Sequence, residues 1–186
     1  ESSSAGVTVI EGQGGIGKTW TMKELLGRIK SGNIRLANDI ERSTIFIAST
    51  DVNRPGSTLN DVSGSFTLYD LYVAAVTGRQ AQGKPISPIE EEIFYNALKM
   101  GSIVVFVDGL DEIIARHRGT FDPDNFFGDL QLRMQGGSNA KVVLSCRKLF
   151  FDQYEYALKF PSVQTYEILA FDEALRDTYF EDELGQ

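Results

Sequence analysis

A lysine and a threonine close a glycine-rich run near the start of the chain, Gly12-Gln13-Gly14-Gly15-Ile16-Gly17-Lys18-Thr19. Every fixed position of the pattern G-x-x-x-x-G-K-[ST] is filled. Residues of these kinds in this order are suited to holding phosphate. Glycines let the backbone turn tightly, take positive φ and approach an anion closely, so successive N–H groups form a concave nest. A helix starting there adds the positive end of its dipole. Lys18 supplies a mobile charge for the β- and γ-phosphates, and the Thr19 hydroxyl is a ligand for Mg²⁺. The residues expected to contact a nucleotide are therefore Gly12, Gln13, Gly14, Gly15, Ile16, Gly17, Lys18, Thr19 and the adjoining Trp20.

Acids that suit the same chemistry lie far along the chain. The apolar run Ile103–Val107 ends in Asp108. A carboxylate in that position holds Mg²⁺ in a phosphoryl-transfer site, usually through water. Gly109-Leu110-Asp111-Glu112 follows, and its two acids are candidates to orient and deprotonate an attacking water. The plainer alternative is that they occupy a helix's first turn, where the macrodipole favours acids. Arg147 follows the strand-like Lys141–Cys146 and is a candidate sensor of a γ-phosphate. Its plainer alternative is a surface arginine paired with an acid, and Lys148 is a less favoured substitute. Cys146 reads as a small buried strand residue.

These groups need a scaffold that brings distant segments together, and the hydrophobic pattern supplies one. Val7–Glu11, Thr44–Thr50, Ile103–Val107, Lys141–Ser145 and Tyr166–Ala170 read as strands. Met22, Leu25, Leu26 and Ile29 have helical spacing, as do Leu68, Leu71, Tyr72 and Ala75. Ser87-Pro88-Ile89-Glu90 has the form of a capping box, predicting a helix with Ile89, Ile93 and Ala97 on one face and an end near Gly101. Asp122-Pro123 starts a helix bearing Phe126, Leu130 and Met134, and Asp172 one bearing Leu175 and Tyr179. Asp51–Ser65 reads as a loop. Near-continuous apolar strands alternating with helices predict an α/β fold with a parallel sheet covered on both faces.

The 186 residues suit one domain, 1–186. The absence of an initiator Met and the stop at Gln186 suggest a piece of a larger protein. Net charge is −8, which argues against direct nucleic-acid binding. One cysteine and one histidine exclude a disulfide framework, a cysteine-built zinc site and a histidine-rich metal site. His117, between Arg116 and Arg118, is expected in an exposed polar turn. No apolar run approaches the ~20 residues that span a bilayer, and no signal peptide opens the chain. The expected setting is cytoplasmic, with no membrane partner.

GQGGIGKT at 12–19, VVFVDGLDE at 104–112 and KVVLSCR at 141–147 together resemble the NACHT branch of the STAND P-loop NTPases. These signal-transduction ATPases occur in animal innate-immune receptors and in bacterial anti-phage proteins. Gly109 after Asp108, followed by Asp111 and Glu112, is the particular likeness, since generic AAA+ ATPases place Glu directly after that Asp. LSCRKLFF at 144–151 looks more like bacterial members. The resemblance spans about Val7 to Leu184 and covers only the family's nucleotide-binding core. It implies a three-layer sandwich of additional-strand type, with five parallel strands in the order 5-1-4-3-2. It implies ATP and ADP as ligands with Mg²⁺ on Thr19 and Asp108, hydrolysis served by Asp111 and Glu112, and Arg147 as the sensor-one arginine. It further implies a molecular switch with slow ATP hydrolysis that self-oligomerises in the full-length protein. A mechanochemical AAA+-like ATPase is the alternative. A P-loop kinase is less favoured, because Gly119–Asn125 supplies no convincing arginine-bearing lid. No Asn-Lys-x-Asp is present for a GTPase.

Overall fold

The computed structural model describes residues 6–32, 42–54, 66–80, 86–134, 139–154 and 163–170. Five strands form one all-parallel sheet: β1 (Val7–Gly12), β2 (Ser43–Ala48), β3 (Ile103–Asp108), β4 (Lys141–Arg147) and β5 (Val163–Glu167). Their spatial order is β2-β3-β4-β1-β5, the predicted order read from the other edge. β4 thus separates β1 from β3. Seven helices are described: α1 (Lys18–Lys30), α2 (Ser49–Val52), α3 (Leu68–Gln80), α4 (Glu91–Met100), α5 (Leu110–Arg116), α6 (Pro123–Met134) and α7 (Lys148–Tyr154).

Successive strand residues point to opposite faces, and the core divides accordingly. Val105 and Val107 of β3 join Val7, Val9, Val142 and Leu144 in a large cluster with Phe94, Leu98, Phe126, Phe127 and Leu130 from α4 and α6. Val104 and Phe106 face the other way, meeting Ile10, Val143 and Met22 of α1 in a small cluster. All six residues of β3 are buried, as a central parallel strand requires.

Four readings are corrected here. The Ser87–Glu90 capping box does not form: α4 begins at Glu91, and no side chain bonds its N-terminus. The backbone of Ile89 is engaged by α3 instead, its N–H bonding the Tyr72 hydroxyl at 3.1 Å and its carbonyl accepting from Tyr69 at 2.8 Å. Ile89 and Ile93 are exposed, whereas Phe94, Tyr95 and Leu98 are buried. Phe94 stacks on Tyr72 at 5.0 Å, so the aromatic face wins over the isoleucine stripe. The second strand ends at Ala48 rather than Thr50, because Ser49–Val52 turns into α2. That turn lets Asp51 reach Arg79 at 2.7 Å, within the stretch read as loop.

The fifth strand lies three residues earlier than Tyr166–Ala170, at Val163–Glu167. Pairing with β1, from Val7↔Val163 to Glu11↔Glu167, sets its register at a sheet edge where apolarity is a weak guide. His117 is the fourth correction. It is 9% exposed, bonded to Asn53 at 3.1 Å and packed edge-on to Phe66. The helix expected after Asp172 lies outside the described residues.

Candidate functional site

Two glycines of the Gly12–Thr19 loop adopt the expected positive φ. Gly15 and Gly17 have φ of 78° and 100°, a region only glycine enters cheaply, and α1 starts immediately afterwards. Lys18 folds back over the loop, its Nζ donating to the carbonyls of Gly12 at 2.9 Å and Gln13 at 2.8 Å. Thr19 is exposed at the mouth of the loop, and Trp20 is 70% exposed on the first turn of α1.

The β3 end is buried and held by hydrogen bonds. Asp108 is only 7% exposed, and its Oδ1 accepts from the Ser145 hydroxyl at 2.6 Å. Ser145 Oγ accepts in turn from the Gly109 N–H at 2.9 Å. Gly109 has φ of 77°, and a Cβ there would lie 2.9 Å from Ser49 Oγ. Conformation and space both require glycine. The turn aims α5 so that its first-turn acids reach the cleft. Glu112 Oε2 accepts from Ser49 at 2.7 Å, and Asp111 Oδ2 meets Arg147 Nε at 3.2 Å. Burial pushes the Asp111 pKa up, while the Arg147 guanidinium pulls it down.

A cleft of about 470 Å³ joins these parts. Gly14, Gly15, Gly17, Lys18, Thr19, Trp20, Asp108, Asp111, Glu112 and Arg147 all line it. The other expected residues support the loop from behind. Gly12 and Gln13 offer their carbonyls to Lys18, and Ile16 packs against Gly12, where a Cβ would meet its Cγ2 at 2.9 Å. Lys148 does not line the cleft and bonds Glu167 at 2.7 Å. Cys146 is buried as read, its thiol pushed up to about 12 by burial.

Sequence reasoning missed Ser145, Ser49 and Lys23, of which Ser145 and Lys23 line the cleft. Lys23 stands one helical turn beyond Thr19, a spacing visible in the sequence. The serines carry no such signal, since their role depends on strand pairing.

The residues present fit a phosphate-bound Mg²⁺. Among the described residues, no three His, Cys, Asp or Glu side chains gather into a metal cage. Mg²⁺ held with a nucleotide needs only one or two protein oxygens beside phosphate and water. Thr19 and the second oxygen of Asp108 can supply these. Among the described residues, no helix is long and apolar enough to cross a membrane. No protein-family model matches the chain, and no curated protein sequence matches it.

Proposed function

We propose that this chain is the nucleotide-binding switch domain of a STAND signalling protein of NACHT type. It binds ATP and ADP, hydrolyses ATP slowly and controls self-oligomerisation of the full-length protein. Innate immune or anti-phage defence in the cytoplasm is the biological setting that goes with the resemblance. The observation that carries the reading is the cleft itself. A positive-φ glycine loop with its lysine faces a buried strand-end carboxylate, and the two stand one strand apart. The interposed β4 supports the additional-strand type of P-loop fold. Gly109, demanded by its φ and by Ser49, supports the NACHT-like over the generic AAA+ arrangement.

Lys18 exchanges the Gly12 and Gln13 carbonyls for β- and γ-phosphate oxygens. The loop N–H groups and the α1 N-terminus bind the rest of the phosphate chain. Thr19 and Asp108 would hold Mg²⁺, which would supply neutralisation of charge on the phosphate oxygens. Asp111 and Glu112 orient a water and accept its proton. Arg147 divides its charge between Asp111 and the γ-phosphate.

Trp20 is the chain's single tryptophan and lies at the cleft, so its fluorescence reports ligand entry. Titration with ADP, ATP and GTP in Mg²⁺ is expected to give a saturable change with both adenine nucleotides. No binding of any of the three, by fluorescence or by calorimetry, rejects the proposal.

A further inference from the structure

We infer that Ser145 and Ser49 are positioning residues that divide the work of the two carboxylates, Ser145 fixing Asp108 for metal and Ser49 fixing Glu112 for water. The inference rests on the nucleotide-binding reading above and deepens it.

The hydrogen-bond chain at Ser145 has one possible direction. Ser145 Oγ receives the Gly109 N–H at 2.9 Å, so its lone proton is available to Asp108 Oδ1, at 2.6 Å. That length lies within the range of a hydroxyl donating to a carboxylate oxygen. Ser145 is fully buried. One oxygen of Asp108 is thereby committed, and the other is left for the cleft. Strand register explains why position 145 can do this. Ser145 is paired with Ile10 on β1, and it follows Leu144, which is paired with Val107. Ser145 therefore stands between the strand that opens the phosphate loop and the strand that ends in Asp108.

Ser49 acts from the opposite side. It sits just beyond β2, is 6% exposed, and gives its proton to Glu112 Oε2 at 2.7 Å. The Gly109 turn is thus clamped between Ser145 of β4 and Ser49, the first residue of α2 beyond β2. Each serine holds one carboxylate in one orientation. The residues that hold a ligating carboxylate in turn set metal affinity, typically by roughly 10–100-fold.

The test uses the whole chain and an ATP analogue that cannot be hydrolysed, titrated in Mg²⁺ and in EDTA. Ser145→Ala is expected to weaken the Mg²⁺ complex roughly 10–100-fold and leave affinity in EDTA unchanged. Ser145→Thr, which keeps the hydroxyl, should restore the coupling. Ser145→Cys keeps a similar volume with a poor donor, so it carries the test if the alanine variant does not fold. Ser49→Ala should keep the Mg²⁺ coupling and lower kcat for ATP without raising KM. A Ser145→Ala or Ser145→Cys protein with the parent's ratio of affinities in Mg²⁺ and EDTA overturns the inference. So does equal weakening in both buffers. A parent that binds the analogue with no Mg²⁺ dependence contradicts the metal reading itself, and this inference falls with it.

Discussion

The two walls of the cleft are built in opposite ways. The phosphate loop is mostly backbone and open to solvent: a Cβ added at Gly14, Gly15 or Gly17 would meet nothing within 4 Å. Its one cation rests on its own loop carbonyls. The base of the β3 wall is made of buried side chains, with Asp108 at 7%, Ser145 at 0% and Ser49 at 6% exposure, while Asp111 is half-buried and Glu112 exposed. Its turn glycine has no space for a Cβ. One wall is held by a lysine bonded to its own loop carbonyls, and the other by buried side-chain hydrogen bonds. Grip on phosphate and placement of metal and water should therefore be separable by mutation.

The largest expected effect separates hydrolysis from grip. Asp111→Asn with Glu112→Gln keeps the shape of both acids and removes the proton acceptors. ATP turnover should fall by roughly 10²–10⁴-fold with affinity retained. If the double variant hydrolyses ATP at the parent rate, the acids are helix-start residues and take no part in hydrolysis.

A paired glycine experiment sharpens the contrast in stability. Gly109→Ala forces a side chain to φ 77° and into Ser49. It should cost about 1–3 kcal/mol, at roughly 2–4 °C of Tm per kcal/mol. Gly14→Ala should change stability by less than about 0.5 kcal/mol. Equal shifts in a thermal melt would erase the distinction between the walls.

A smaller effect lies in pH dependence. Burial raises the Asp111 pKa, and Arg147 is the main influence lowering it. Without the guanidinium, Asp111 stays protonated to higher pH, so Arg147→Ala should move the acid limb of the kcat/KM profile upward in pH. An unmoved limb would mean that Asp111 is not the titrating base. The smallest effect concerns His117, where burial lowers the pKa from 6.5. Stability is full above that value and declines as pH falls, because the unfolded chain takes up the proton first. Urea unfolding should show a weaker decline below pH 6.5 for His117→Gln. An equal decline would place the pH sensitivity elsewhere.

The conformation of the open wall was legible in the sequence because it is set by consecutive residues. Glycines 12 to 17, Lys18 and Thr19 need only each other and the flanking elements. Asp108 was legible for a similar reason, as the polar end of IVVFV. Ser145 and Ser49 were not, because each acts on a residue 37 or 63 positions away. Their role exists only once β4 and β2 flank β3. The α4 helix failed differently: a good local cap and an isoleucine stripe lost to Phe94 stacking on Tyr72, a contact between helices that local pattern does not encode. His117 reads as polar between two arginines, yet Phe66 and Asn53 bury it from distant segments.

The most direct test is one titration series: ATP against the parent, Lys18→Ala and Asp108→Ala, each in Mg²⁺ and in EDTA. Lys18→Ala removes a charge-assisted contact of about 1.5–3 kcal/mol, so it should lose roughly ten- to a hundredfold in affinity in both buffers. Asp108→Ala should lose affinity in Mg²⁺ only and match the parent in EDTA. A parent that binds no ATP, or a Lys18→Ala protein that binds it as tightly as the parent, would contradict the assignment of this cleft to nucleotide.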